Sequence, residues 1–396
     1  MTASLYIHIP FCAGSCTYCD FFSVPLNENT GLVDAFTGAV LDDIEDQLAL
    51  FNVDQVPTVY IGGGTPSMLG AARMERLLGG LQAILKPMRT APGEFTVEAN
   101  PESADETFLQ ACRAGGVSRI SLGVQTFHEP SRLAVHRTGN RSLLEKRIAL
   151  AAELFPDAFS ADLITGLPFQ TPAVLENDIK QLLSFRPAHV SLYSLTLDPQ
   201  TPLGEQAARL GAASLSLPSG DDADDLWILG RDMLEATGLT QYEVSNFALP
   251  GKTCAHNIRY WRMESWLGAG PSASGTLIDE TGTGRRLSYQ ADIAAYLASP
   301  RPRIHSARIE KLTADDLIRE SLLMGFRYCG GPDPLSFRQR FHCGIEDCIP
   351  QTITRWREKG FFETEDSVSF TPSKEGLLFL NSFLRDAFLE LPSILW

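Results

Sequence analysis

Long hydrophobic runs are missing from this chain. No apolar stretch reaches the roughly 18 residues that a spanning helix needs, so no transmembrane segment is expected. The opening residues MTASLYIHIP lack a basic region followed by a long apolar one, so no secretory leader is expected. An excess of positive charge is missing too. Lys and Arg number 33 against 48 Asp and Glu, a formal charge of −15. That counts against non-specific nucleic-acid binding, which needs a basic surface, although it leaves room for a local basic pocket. The hydrophobic fraction of 44% and charged fraction of 20% exclude general disorder. At 396 residues the chain has room for two or three domains.

Three of the eight cysteines fall together at Cys12, Cys16 and Cys19, directly after an apolar run. A chain with no export signal is expected in the reducing cytosol, where structural disulfides are rare. The trio therefore reads as a metal or redox site. Three clustered thiols do not complete a closed structural zinc site, which needs four ligands from cysteine and histidine. Three thiolates suit a cubane iron–sulfur cluster with one iron left open. The other five cysteines are expected to be ordinary buried thiols.

Short β-branched or apolar runs alternate with helical patterns along the first half. Strands are expected at 4–9, 58–63, 94–100, 119–125, 159–166 and 189–195, and helices at 31–50, 70–86, 103–115, 141–154 and 173–184. Six such units predict an α/β fold with parallel strands, as a barrel or a doubly wound sheet. A polar or glycine residue sits in or just after each strand, at Cys12, Gly62–Gly64, Glu98–Asn100, Gln125, Asp162 and Tyr193–Thr196. Carboxyl ends of barrel strands carry active sites, so six strands point at one pocket.

Beyond residue 200 the pattern changes. Residues 211–225 read as a loop before a helix at 221–237, followed by a strand at 240–248, the motif HNIRYW at 256–261 and a glycine-rich stretch at 267–275. Residues 281–286 read as a turn, and Pro300 and Pro302 as a boundary. Helices are expected at 313–327, 346–359 and 374–388, with a β-hairpin at 361–371, a pattern resembling a winged-helix module. Acidic and basic residues nearly balance over 301–396, so this module is expected to be a cap or docking surface rather than a DNA reader. The division expected is 1–200, 201–300 and 301–396.

Gly62-Gly63-Gly64-Thr65-Pro66-Ser67 lets backbone approach a ligand, and no Lys follows at the offset of a P-loop. Glu98 could meet an ammonium or ribose hydroxyls, and Arg137 could clamp a carboxylate bidentately. His256 could serve as an axial heme ligand, with Tyr260 and Trp261 flanking the ring and Arg259 meeting a propionate. On spacing alone, a satisfied structural histidine fits His256 better.

The segment YIHIPFCAGSCTYCDF, with its C-x3-C-x2-C spacing, resembles the cluster loop of radical S-adenosylmethionine (SAM) enzymes. YIHIPFC narrows the resemblance to the branch holding the coproporphyrinogen dehydrogenases and the heme chaperones. The resemblance implies a partial (β/α)6 TIM-like barrel. It also implies a 4Fe–4S cluster on Cys12, Cys16 and Cys19, and SAM contacts from Tyr6, Tyr18, Gly63, Gly64, Thr65, Glu98, Gln125, Arg137 and Asp162. HNxxYW is similar to the heme motif of the chaperones, which makes His256 the implied heme ligand, with Cys254 the alternative. Asp20-Phe21 follows the trio where dehydrogenases carry a further cysteine, and only five residues precede Tyr6 where they have a longer segment. The implied function is thus a heme chaperone handing heme to apo-cytochromes of the respiratory chain. It would be cytoplasmic, with peripheral membrane contact and a homodimer as further expectations. The alternatives are oxygen-independent oxidative decarboxylation of coproporphyrinogen and radical chemistry on another tetrapyrrole.

Overall fold

A computed structural model describes residues 1–26, 30–363 and 370–391. Six parallel strands form its centre: β1 (Ser4–Ile9), β2 (Thr58–Gly63), β3 (Glu94–Ala99), β4 (Arg119–Gln125), β5 (Phe159–Thr165) and β6 (His189–Ser194). They lie side by side in chain order, all parallel. All six were expected from the sequence, with ends differing by at most one residue.

Parallel order follows from the connections. Each strand is joined to the next by a helix that returns the chain to the same end, as βαβ units require. The helices bury regular stripes. Thr30–Leu50 turns Val33, Phe36, Val40 and Ile44 inward, and Gly70–Leu85 buries Met74, Leu77, Leu78, Leu81 and Leu85. Caps fix the starts of the next helices along the chain: Asp105, Asn140 and Thr171 each accept a backbone N–H three residues on.

Alternation along the strands does the rest. The outward face carries Leu5, Ile7, Ile9, Val59, Ile61, Val97, Ile120 and Leu122, all at most 1% exposed. Burying each such side chain stabilises the fold by roughly 1.5–3 kcal/mol. The opposite face carries Ser4, Tyr6, His8, Thr58, Tyr60, Thr96, Glu98, Ser121, Asp162, Ser191 and Tyr193. The interior of this barrel is therefore polar from end to end, and not the packed aliphatic plug usual in closed eight-stranded barrels.

Both edges of the six are extended. Beyond β6 lie antiparallel β8 (Asn246–Ala248) and β7 (Thr240–Gln241). Beyond β1 lie parallel β9 (Trp266–Ala269) and then antiparallel β10 (Ser274–Ile278), β11 (Gly284–Ser288) and β12 (Arg308–Leu312). Among the described residues these twelve strands make one sheet with two free edges, so the barrel is open. The expected strand at 240–248 is two short strands joined by a turn, and the glycine-rich 267–275 is the β9–β10 hairpin.

The edge strand β12 follows Pro302 and still belongs to the barrel sheet. A second apolar cluster begins at Ile318 and is built around Phe326, Trp356, Phe361 and Phe383, with Phe361 stacked on Phe383 at 4.4 Å. The helix expected at 346–359 is broken into Ile345–Cys348 and Pro350–Glu358, because Pro350 cannot donate to the preceding turn. That at 374–388 is likewise two helices, Lys374–Leu378 and Leu380–Glu390. The flanks of the expected hairpin pair antiparallel at Phe362 and Pro372; its centre, 364–369, lies outside the described residues. Among the described residues no helix is long and apolar enough to cross a membrane.

Candidate functional site at the carboxyl ends of the strands

The cysteine loop leaves β1 and is tied down on both sides. Phe11–Cys12 pairs in parallel with Val24–Pro25, and Val24 N–H donates to Pro10 O at 2.8 Å. In mid-loop, Thr17 is buried; its N–H donates to Val135 O at 3.3 Å and its carbonyl accepts from Leu203 N–H at 2.8 Å. The three cysteines are half-buried and free. The Cys19 thiol is pushed up to about 11, first by burial and then by the neighbouring Cys16 and Cys12 sulfurs, while the Phe21 backbone opposes the shift. Thiolates this close would repel one another, and a metal taking the place of their protons would relieve that repulsion. Among the described residues no three Cys, His, Asp or Glu side chains converge on one point as a single ion requires.

The glycine triplet is shaped by the loop it touches. A Cβ on Gly64 would stand 2.8 Å from the carbonyl oxygens of both Ile9 and Phe11. Gly63 has φ +103°, and a Cβ there would lie 2.5 Å from His8 Nδ1. The N–H groups are already used: Gly63 donates to Glu98 Oε2 at 3.3 Å, Gly64 to Ile9 O at 2.8 Å and Thr65 to Phe11 O at 2.7 Å. The sequence suggested that this backbone can come close to a ligand. With these donors spent inside the protein, a ligand here meets acceptors, which suits an ammonium group.

Glu98 stands beside that turn. Tyr60 donates to its Oε1 at 2.5 Å. Burial nevertheless raises the Glu98 carboxyl to about 7, with Asp162 adding repulsion. Asp162 accepts from Ser121 at 3.3 Å and is raised to about 6 by burial. Two raised carboxyls facing one space await a cation or a set of hydroxyls. Tyr6 donates to His8 Nδ1 at 3.1 Å, because His8 Nε2–H is committed to Phe22 O at 2.8 Å.

At the end of β4 the chain is strained. Its pairing with β5 shifts register between Gly123 and Gln125, and Gln125 takes φ +67°. Such irregularities gather at functional sites. The buried Gln125 Oε1 has no partner among the described residues. Arg137 is 7% exposed, donates to Gly123 O, and stands 3.7 Å from Glu102. It also meets Tyr18 and Cys16. Its Nε has no partner among the described residues. So Arg137 is built into the wall beside the cluster loop, with part of its hydrogen-bonding capacity open. These two orphaned groups, the glycine cradle and the thiol trio fit a cluster with a polar ligand above it. Asn100 was flagged from the sequence only as part of the polar end of the third strand; Glu102 and Tyr60 were not singled out, and only their place next to motif residues could have flagged them.

His256 lies elsewhere. It is 1% exposed, on the short helix Ala255–Trp261 that closes the amino-terminal end of the barrel. Thr58 donates to Ser4, so His256 Nδ1–H donates to Thr58 at 2.8 Å and Nε2 accepts from Tyr260 at 2.9 Å. The ring stacks on Tyr60 at 5.0 Å. Burial, with Arg259 nearby, lowers its imidazole to about 3, so it is neutral. Glu94 holds the helix start, accepting from Ala255 N–H at 2.9 Å, His256 N–H at 3.0 Å and the Cys254 thiol at 3.3 Å. In this conformation neither His256 nor Cys254 offers a free ligand atom.

Residues 6–182 match the model of the radical SAM superfamily. The chain is 34% identical to the heme chaperone HemW of Lactococcus lactis over 355 residues, covering 89% of this chain and 88% of that one. With HemW of Escherichia coli it shares 32% over 386 residues, 96% and 97% of the two chains. The chain belongs to the HemW family of radical SAM proteins. Membership of the superfamily implies a 4Fe–4S cluster and SAM. The mouse protein "radical S-adenosyl methionine domain-containing protein 1, mitochondrial" is 34% identical over 325 residues, 82% of this chain and 67% of that one. The fold is that of the E. coli coproporphyrinogen III oxidase HemN, at a TM-score of 0.81, 23% identity, and coverage of 98% and 90%.

Proposed function

We propose that this protein is a heme chaperone that takes up heme and passes it to apo-cytochromes or other heme acceptors. The observation that carries this reading is end-to-end similarity to proteins named for that role, at 29–34% identity across four of them. We place the protein in the cytoplasm, with acceptors in the respiratory chain reached by peripheral membrane contact, and as a homodimer.

In this reading Cys12, Cys16 and Cys19 hold the cluster. Tyr6, Tyr18, Gly63, Gly64, Thr65, Glu98, Gln125, Arg137 and Asp162 surround SAM. When bound, cluster and SAM together supply one-electron chemistry at a sulfonium centre. The chain's own part is positioning. Glu98, once ionised, offers a carboxylate to an ammonium; Tyr60 fixes its rotamer; Gly64 lets the turn sit against the cluster loop.

Heme ligation by His256 requires the floor helix to open. Tyr260 has to leave Nε2, the nitrogen whose lone pair can bind iron. An opening that costs a few kcal/mol lowers the apparent affinity by the fraction open, which suits a protein that must also release its cargo. Anaerobic heme titration of wild type and His256→Ala, read at the Soret band, tests this. Loss of the axial signature in the variant supports it; an unchanged spectrum places the ligand on another residue. Catalytic conversion of coproporphyrinogen by cluster-loaded protein with SAM and reductant would favour the dehydrogenase alternative instead.

A further inference from the structure

Thr65 has a second role written in its contacts. Its hydroxyl oxygen lies 3.2 Å from the Cys12 sulfur, and Asn100 Nδ2 lies 3.1 Å from the same oxygen. A threonine hydroxyl has one proton and two lone pairs. Asn100 fills a lone pair, so the proton is free to point at sulfur. As a cluster ligand Cys12 is a thiolate with no proton of its own, and Thr65 is then the donor. We propose that the Thr65 hydroxyl, aimed by Asn100, donates a hydrogen bond to the Cys12 sulfur and raises the reduction potential of the cluster that this sulfur holds.

Little in the surroundings competes for that proton. Thr65 is 3% exposed. Its backbone is pinned by its N–H to Phe11 O at 2.7 Å and by its carbonyl, which accepts from Met68 N–H at 2.9 Å. Asn100 is pinned in turn: its N–H donates to Ser67 at 3.1 Å and its carbonyl accepts from Ala104 N–H at 2.9 Å. Hydrogen bonds to cluster sulfurs stabilise the more negative, reduced state, which is how outer residues tune a potential. The two residues leave β2 and β3 at the ends nearest the loop, so neighbouring strands fix the donor and its aim. The proposal rests on the reading of Cys12 as a cluster ligand.

The test is a potentiometric titration of cluster-loaded protein, followed by electron paramagnetic resonance, without SAM. Leaving SAM out silences any contact of Thr65 with that ligand. Thr65→Val keeps the shape and removes the donor; its midpoint is expected to move negative. At the wild-type midpoint its ratio of reduced to oxidised cluster should fall about tenfold, equivalent to about 59 mV for one electron. Thr65→Ser should stay near wild type. Asn100→Ala should shift in the same direction by less, since the hydroxyl remains but loses its aim. A Thr65→Val midpoint equal to wild type, or a Thr65→Ser shift as large as that of Thr65→Val, overturns the proposal. If Thr65→Val assembles no cluster, Asn100→Ala decides alone: a negative shift supports the role and none removes it. Failure of wild type to hold iron at all overturns the cluster reading, and this proposal falls with it; an unchanged Thr65→Val midpoint in iron-loaded protein overturns this proposal alone.

Discussion

The hydroxyl of Tyr260 sits 2.9 Å from Nε2 of His256 and occupies the one imidazole nitrogen whose lone pair could bind iron. The histidine that suggests heme ligation from the sequence thus has both ring nitrogens paired in the barrel floor. Tyr260→Phe keeps the ring against His256 and Trp266 but frees Nε2. A hydrogen bond of this kind contributes about 0.5–1.5 kcal/mol, so heme uptake in stopped-flow at the Soret band should quicken by about two- to tenfold. Equal rates in the variant and wild type would show that this contact does not gate uptake.

Glu98 gives a pH dependence with a definite sign. Its carboxyl is raised to about 7, so it is neutral well below that pH and charged above it. A carboxylate that pairs with the ammonium of SAM must be ionised. Between pH 6 and pH 8 the charged fraction grows about tenfold, and SAM affinity by equilibrium dialysis should rise by a similar factor. Glu98→Gln should bind more weakly at pH 8 and lose most of the dependence. A Glu98→Gln profile as steep as that of wild type would assign the proton to another group.

Gly64 is a packing requirement, independent of any ligand. A Cβ there meets two carbonyl oxygens of the cluster loop at 2.8 Å, and backbone cannot yield as a flexible side chain does. Gly64→Ala should destabilise the apoprotein by about 1–3 kcal/mol in denaturant unfolding and lower its capacity to assemble a cluster. Gly79→Ala, inside the helix Gly70–Leu85 with open space around it, should be neutral or slightly stabilising and serves as the control.

Much of this was legible in the sequence because the strands alternate so strictly. Leu5, Ile7 and Ile9 announce a strand with one buried face, and the same period places Tyr6 and His8 on the other. The cysteine spacing and the glycine turn announce their chemistry locally. What stayed hidden depends on contacts between distant residues. Nothing near residue 256 shows that Thr58 and Tyr60 receive its ring, or that Glu94 holds the helix it begins. Thr58 and Glu94 read as polar interruptions of strands until the barrel closes around them. Asn100 looked like the end of a strand, and its amide's aim at Thr65 exists only once β2 and β3 are neighbours. The break at Ile349 was within reach of the sequence, because Pro350 inside a helical pattern ends the helix before it.

Iron and acid-labile sulfide in anaerobically reconstituted protein, measured beside Cys12→Ser, Cys16→Ser and Cys19→Ser, test the centre of the account. The account predicts about four of each per chain in wild type, with the visible cluster absorption lost in every single variant. Zinc in place of iron, or a full cluster surviving in all three variants, would contradict it.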